Sequence, residues 1–559
     1  VSTFAILALM LATFTADACV FQGDVQHTGN FTALGPIIPS LLWKANLTGL
    51  VDSQPVYYKG YVFVENWYGW KSWNPGLYCI NATNGKIVWR NEKITGASTA
   101  AINGEKLIVG SLDGKLYFVN TTNGEIEKEI KLEESPSYWG IASSPIIYNN
   151  SIYVLTFSTG TLWKIDLNGE ILWNFTTGKI SYYTSPAAYN GTIFFAGNES
   201  GKQKLYCIDE NKNLIWSYDV DGEIMNTPSI GYGEVFFATN KKLYALYLNG
   251  TLAWELDFNG TISSAAIAYG NIYIGSKDGL YCVTKDGKIK WVFKSEKVDS
   301  SPAVASGYVY FATNTPEGTI YALDKDGEII WYYRLKPPAG YYYNIMSSPF
   351  IADDKLFIGA DSGHVYCFNL TGKMSVNVSL SPGNFTIKIN NKSYEVSRTS
   401  ALGALYYASL GSYSDGAEIG FNFTLDDSWY EKYGSFFLTS VFGISNSGGK
   451  YWMYWVNDES PAVGINQYEL SDGDRVYYWY DVWTASPHNA SIVLGVNVSV
   501  EKRALGDVNG DGSVDVLDLT YLVNIILGTS SPTPCSDVNG DGGVDVLDLT
   551  YLVNIILEK

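Results

Sequence analysis

Residues 300–331 read SSPAVASGYVYFATNTPEGTIYALDKDGEIIW. One phrase holds a Ser-Pro strand of small residues, a Tyr-rich strand, an Ile-Tyr-Ala strand, an Asp-Gly turn and a closing Ile-Ile-Trp. Short β-rich runs punctuated by such turns are the mark of antiparallel strands joined by hairpins. The phrase recurs through the first 375 residues. Its terminal aromatic falls at Trp43, Trp89, Trp173, Trp216, Trp254, Trp291 and Trp331, with Lys128 and Val376 in the equivalent places. The small-residue strand recurs around Ser53, Thr99, Ser144, Ser185, Thr227, Ser264, Ser301 and Ser348. Eight intervals of roughly 42 residues, each with four short strands, predict an eight-bladed β-propeller. Residues 41–47 read as a last strand with no blade before it, so they are expected to pair with the final blade and close the ring. A solenoid of stacked β-units is the alternative, and the lack of capping repeats argues against it.

Composition supports a mainly β chain. Aromatics make up 15 % of the 559 residues, with 43 Tyr and 17 Trp, and charged residues only 17 %. Lys and Arg total 37 against 56 Asp and Glu, a net charge of −19 that repels phosphate backbones, so no nucleic-acid partner is expected. Three His leave little for a zinc cluster or a His-based triad, and no catalytic residue is assigned. Residues 4–14 are continuously apolar or small and precede Ala16-Asp17-Ala18, which predicts a signal peptide over residues 1–18. Cleavage would leave Cys19 first, a lipidation position that Asp17 fits poorly. Asn-x-Ser/Thr acceptors run from Asn30 to Asn497, as on an exported, glycosylated surface, and no later apolar run is long enough to span a membrane. The expected location is secreted and associated with the cell surface.

The repeats, together with Phe21-Gln22-Gly23-Asp24 and His27-Thr28-Gly29, resemble the pyrroloquinoline-quinone-type propeller family over residues 19–378. The resemblance implies one of two kinds of protein: quinoprotein dehydrogenases, with a quinone and calcium on the propeller axis, or non-enzymatic scaffolds such as the outer-membrane assembly lipoproteins. The dehydrogenases share a vicinal disulfide, and this chain has no adjacent Cys pair, so the quinone is not expected. Cys79, Cys207, Cys282 and Cys367 occupy one strand slot in different blades, too far apart for disulfides, and read as small buried thiols. The repeated Trp are expected to pack between blades. Tyr182-Tyr183 and Tyr341-Tyr342-Tyr343 follow blade ends and are candidates for stacking on a glycan or peptide ligand.

Over residues 379–503 the repeat stops. A helix capped by Thr399 or Ser400, with strands at 436–442, 451–456 and 475–480, predicts a small α+β domain. The pieces Ala401-Leu402 to Ala408, Trp452-Met453-Tyr454-Trp455-Val456-Asn457, Pro461 to Gly464 and Tyr468 to Asp474 resemble a β-grasp-like family related to the C-terminal domain of transcobalamin. That resemblance implies cobalamin capture against a helical barrel. No such barrel is encoded here, so a ligand-binding or spacer module of unknown target is expected.

The last segment, residues 504–559, holds DVNGDGSVDVLDLTYLVNIIL at 507–527 and DVNGDGGVDVLDLTYLVNIIL at 537–557. Oxygen donors stand at loop positions 1, 3, 5, 9 and 12: Asp507, Asn509, Asp511, Asp515 and Asp518, then Asp537, Asn539, Asp541, Asp545 and Asp548. The carbonyls of Ser513 and Gly543 would serve at position 7, and Gly512 and Gly542 give the sharp turn at position 6. Hard oxygens in this order suit Ca2+, one ion per loop. A helix follows each loop and none precedes the first. These half EF-hands, with Asp at position 12, resemble the dockerin family. The resemblance implies a small all-α calcium-binding domain that docks onto a cohesin-like domain of another exported protein. Contacts would fall on Val516, Leu517 and Asn524 in one copy and Val546, Leu547 and Asn554 in the other, and the near-identity of the copies would allow two docking orientations. Cys535 between the copies has no assigned role. The functional expectation is an exported, non-catalytic scaffold or recognition protein, with a carbohydrate-active or quinone-dependent enzyme, or a glycan- or corrinoid-binding protein, as competing readings.

Overall fold

The computed structural model describes residues 20–68, 73–335, 345–414, 416–500, 505–511, 513–533 and 535–557. The signal peptide, Cys19, Tyr341 to Tyr343 and Gly512 lie outside the described residues. Two compact units emerge: Val1–Pro36, Leu41–Glu328 and Pro337–Leu370 form the first, and Ile37–Ser40, Ile329–Lys336 and Thr371–Lys559 the second.

The first unit is the propeller. Its sheets are antiparallel meanders whose strand order follows the chain, from Val56–Tyr58, Tyr61–Asn66, Gly76–Asn81 and Ile87–Asn91 onward through eight repeats. The innermost strands abut in sequence from Ala101–Asn103 to Phe350–Ala352, Phe350–Ala352 abuts Val56–Tyr58, and Gln54 N–H bonds Thr99 Oγ1 across the remaining junction, so the row closes on itself. Leu41–Asn46 pairs antiparallel with His364–Asn369, with Trp43 opposite Cys367. The expected closure by the first strand is therefore present.

Two repeated devices hold neighbouring sheets together. The first is the Trp. The indole N–H groups of Trp43, Trp89, Trp173, Trp216, Trp254 and Trp291 donate to the carbonyls of Ala82, Thr121, Glu210, Leu248, Lys285 and Lys325 in the following sheet, at 2.8–3.2 Å. The turn glycine there must lack a Cβ, because one on Gly250 would lie 2.7 Å from the Trp216 ring. Where Lys128 replaces Trp, its ammonium makes the equivalent bond to Asn168 O at 2.9 Å. The second device is a belt of hydroxyls. Those of Thr99, Ser144, Ser185, Thr227, Ser264, Ser301 and Ser348 each accept the backbone N–H of the matching residue one sheet earlier, at 2.9–3.1 Å. In the first sheet the matching residue is Gln54, not Ser53. Its side-chain amide donates to Pro349 O at 2.7 Å, so the longer side chain bridges the last junction of the ring.

The segment before the first strand lies across the inner strands. Carbonyls of Val25, Gln26, Thr28 and Gly29 accept from Ala188, Ile230, Ile267 and Val304, at 2.7–2.8 Å. Gly29 has φ +57° and sits so close to Pro302 O that a Cβ would lie 2.8 Å from it. His27 is fully buried between the carbonyls of Phe21 and Pro186, and burial lowers its pKa. The four propeller Cys are free and buried as expected, and burial pushes the thiols of Cys79, Cys207 and Cys282 up to about 12.

Two repeat-like stretches join the second unit. The outer strand of the eighth repeat is Leu41–Asn46, and Val376 lies instead in Lys373–Leu380, which runs parallel to Ile492–Val500. Ile329–Leu335, which carries Trp331, pairs antiparallel with Ala417–Phe421. Trp331, Tyr333 and Leu335 are buried there, whereas the matching strands elsewhere leave residues such as Ile171 and Leu172 half exposed. The strands of this unit follow the order Ile329–Leu335, Ala417–Phe421, Ser412–Ser414, Lys373–Leu380, Ile492–Val500, Arg475–Val482 and Lys450–Val456. Helix α1 (Ala401–Leu410) packs on this sheet. Its cap is Ser400, whose hydroxyl accepts Gly403 N–H at 3.0 Å. The short helix α2 spans Tyr430–Tyr433. Helices α3 (Val516–Ile526) and α4 (Val546–Leu557) close the chain around a small core of Val508, Val514, Leu522, Ile525, Val538 and Leu552.

Candidate functional site

The tandem loops fold alike because their carboxylates organise backbone amides in the same way. Asp518 accepts the N–H groups of Asn509 and Asp515, at 2.9 and 2.8 Å, and Asp548 accepts those of Asn539 and Asp545, at 3.0 and 2.8 Å. Asp507 accepts from Gly510, and Asp537 from Gly540. Asp515 and Asp545 take the N–H of Leu517 and Leu547, capping α3 and α4. Gly542 has φ +90°, the conformation expected at position 6. Asp507, Asp518 and Asp548 are fully buried. Among the described residues no three acidic, His or Cys side chains are drawn into a formed metal cluster. The donors are nonetheless all hard oxygens in loop order, which suits Ca2+.

The two loops differ in surroundings. Arg398, 2 % exposed, donates from Nη1 to Asp537 O at 2.9 Å and from Nη2 to Val538 O at 3.0 Å. A Cβ on Gly540 would lie 2.7 Å from that guanidinium, and one on Gly542 2.7 Å from Leu410. Cys535 is buried, with Sγ 3.8 Å from Ser381 Oγ. Burial raises the Asp537 carboxyl above its usual pKa, and Arg398 partly offsets this. The second copy is thus seated on the residues around α1. Truncating Arg398 to Ala removes charge-assisted bonds to buried carbonyls and is expected to cost about 2–3 kcal/mol. The check is faster protease release of residues 505–557 than in the parent.

The candidate docking residues face solvent in both copies. Val516 and Leu517 are 65 % and 61 % exposed, and Val546 and Leu547 64 % and 60 %. Asn554 is exposed and Asn524 half-buried, its carbonyl accepting from Thr529.

On the propeller axis the hydroxyl belt lines a cavity of about 40 Å3, together with Asp52, Gln54, Tyr183 and Asp299. Trp67 Nε1 and Tyr183 Oη donate to Asp52 Oδ2 at 2.7 and 3.2 Å, yet burial still raises the Asp52 pKa. Glu65 Oε1 accepts Ser98 N–H at 2.7 Å, its other oxygen has no partner among the described residues, and burial holds its pKa well above the usual range. Sequence reasoning missed these acids. The available signal was Gln54 in a slot that otherwise holds Ser or Thr. Tyr182 stacks on Trp139 at 4.5 Å, and Tyr183 turns inward to Asp52. Trp139 thus covers one face of Tyr182.

The raised Glu65 pKa has a sign. The folded state keeps a proton that the unfolded state releases, so stability falls as pH rises from the unfolded carboxyl pKa towards the raised folded one. Glu65→Gln keeps the acceptor for Ser98 and removes the buried charge. It is expected to raise propeller stability by about 1–3 kcal/mol at pH 8, with the gain shrinking towards pH 4. Melting both proteins across that range checks it, and comparison with the parent cancels the opposing contribution of His27.

Comparison with known proteins bears on both regions. The family described as outer membrane protein assembly factor BamB matches residues 12–168, 158–267 and 240–398, together more than two thirds of the chain. The chain belongs to this family. The dockerin type I domain matches residues 505–557, and a domain of unknown function, DUF4430, matches residues 422–482. A BamB of Shewanella oneidensis is 28 % identical over 80 residues, 14 % of this chain and 19 % of that protein, so the chain spans about a fifth of this curated relative. The solved quinohemoprotein alcohol dehydrogenase from Comamonas testosteroni superposes with a TM-score of 0.53 at 12 % identity, covering 64 % of this chain and 81 % of the other. A europium-containing methanol dehydrogenase gives 0.50 at 12 % identity, over 61 % and 90 %. These likenesses show the fold. Among the described residues, the cavity of about 40 Å3 on the axis of this BamB-family propeller is lined by Asp52 and Asp299 and by no Lys or Arg. Among the described residues no helix is long and apolar enough to cross a membrane.

Proposed function

We propose that this protein is an exported, non-catalytic scaffold whose BamB-family propeller is attached, through its dockerin, to a cohesin-like domain of a surface assembly. The observation that carries the reading is the pair of exposed apolar side chains at the same loop positions of both copies, Val516-Leu517 and Val546-Leu547. Large apolar groups exposed side by side at the start of two helices have no role in their own core and suit a protein partner. Asn524 and Asn554, about two turns further along the same helical face, would extend each contact.

Calcium would supply the charge that holds each loop in its docking shape. Asp507, Asn509, Asp511, Asp515, Asp518 and the carbonyl of Ser513 would hold one ion. Asp537, Asn539, Asp541, Asp545, Asp548 and the carbonyl of Gly543 would hold the other. The chain's own residues do the rest: the paired amides fix the loop backbone, and α3 and α4 present the apolar pairs. The small axial cavity of the propeller, about 40 Å3 against the ~300–1,000 Å3 of small-ligand sites, supports a structural reading of that domain over a quinone-dependent one.

Capture from a surface extract of the producing organism, with the full chain as bait in calcium and then in chelator, tests the reading. The expected result is a partner bearing a cohesin-like β-sandwich that is released by chelation. No calcium-dependent partner would overturn it.

A further inference from the structure

A pocket of about 380 Å3, within the ~300–1,000 Å3 range of small-ligand sites, lies mostly in the region matched by the domain of unknown function, with Trp483 and Ala485 just beyond it. It opens beside Lys450–Val456, the last strand of the second unit's sheet. Aromatic side chains dominate its lining: Phe437, Trp455, Trp479 and Trp483 with Met453 and Tyr454. Among the described residues no Asp, Glu, Lys, Arg or His lines it. Trp483 stands at the rim, 77 % exposed, while Trp479 is 1 % exposed and packs edge-on to Trp455 at 6.3 Å. The buried Trp479 indole N–H has no acceptor among the described residues.

The strand edge adds polar groups. Trp452 N–H bonds to Asn446 Oδ1, and Val456 N–H to Glu459 O, so both point away from the paired strand Arg475–Val482. Alternation then turns the N–H and C=O of Tyr454, between them, to the same open side. Ser435 and Ser460 bring hydroxyls to the lining. The bonds at Trp452 and Val456 block the edge on either side, so an extended peptide has one residue of free edge, too little to add as a strand.

We infer that this pocket binds a neutral glycosyl ring. The absence of charged lining residues disfavours an ionic ligand, which would lose its hydration with nothing to pair it. A pure hydrocarbon would cover the Tyr454 main chain and the serine hydroxyls without answering them. A pyranose has an apolar face to lie on indole rings and a rim of hydroxyls that both donate and accept. The open side of the pocket leaves the outward hydroxyls in water.

The test is calorimetric titration of the full chain with cellohexaose, xylohexaose and chitohexaose, and of the variants Trp483→Ala and Trp455→Phe. Trp483 is so exposed that its truncation leaves the fold intact, which a melting curve verifies. At least one hexasaccharide is expected to bind, with affinity falling about tenfold in Trp483→Ala, as the loss of one stacked ring implies. Trp139→Ala, in the propeller, should leave the affinity unchanged. No binding of any of the three at millimolar concentration, or binding insensitive to Trp483→Ala, would overturn the inference.

Discussion

Adding a chelator to the calcium-equilibrated chain should unfold residues 505–557 and leave the propeller's melting transition where it was. The physical reason is the small size of the C-terminal core. Six buried side chains, Val508, Val514, Leu522, Ile525, Val538 and Leu552, hold α3 to α4. Cores of that size rarely sustain a fold alone. Each loop also concentrates four Asp carboxylates, whose mutual repulsion a bound ion removes. An ion at a hundred times its dissociation constant adds about 2.7 kcal/mol per site, so two sites add about 5 kcal/mol, which is comparable to a small domain's whole stability. Hydrogen exchange with mass analysis reads the outcome segment by segment. The amides of α3 are expected to lose protection first, because Arg398 and the buried Cys535 anchor only the second copy. Calcium should restore protection and magnesium should not. Equal protection with and without chelator would mean that packing against the α1 region suffices.

Introducing charge at the docking pairs gives the second large effect, and it separates one docking mode from two. If both copies serve equally, Val516→Asp with Leu517→Asp removes one of two equivalent orientations and weakens partner binding only about twofold, the statistical factor. The same holds for Val546→Asp with Leu547→Asp. All four substitutions together should abolish binding, a loss of about a thousandfold or more, because buried carboxylates would face the partner unpaired. The residues are more than half exposed, so the variants should fold. Titration of the captured partner with each variant checks this. A full loss from one pair alone would show that seating the second loop on Arg398 has made the copies unequal, despite their near-identical sequences.

The parts of this molecule that repeat were the parts legible in sequence. The Trp, the Ser/Thr belt and the acidic loops announce themselves because each recurs with the same spacing and the same job. Ile329–Leu335 shows the limit: it begins Ile-Ile-Trp, close to the Ile/Leu-x-Trp start of most other repeats, yet the strand lies against Ala417–Phe421. Gly420 makes that pairing feasible, since a Cβ there would lie 2.1 Å from the Tyr332 ring. Nothing in the local phrase encodes a neighbour 90 residues away. Asp52 and Glu65 were invisible for a related reason, because burial is a property of the closed ring. Arg398 reads as an ordinary surface charge until the loop at Asp537 is placed against it. The aromatic pocket was hidden by abundance, since in a chain with 43 Tyr and 17 Trp no single ring stands out.

The pairing of Trp43 with Cys367 also sets an order of events during synthesis. Middle sheets can form hairpin by hairpin as they leave the ribosome, because their partners are close in sequence. The last sheet cannot. Its outer strand is made among the first and must wait, unpaired, for more than three hundred residues to be added. The carbonyls of Val25 to Gly29 wait likewise for inner strands of later repeats. Until residue 369 is available, the nascent chain therefore carries an open sheet edge at each end, and these edges invite association with other chains. Ring closure is a single late event, and a pause in translation inside the eighth repeat would prolong the most aggregation-prone stage of this protein's life.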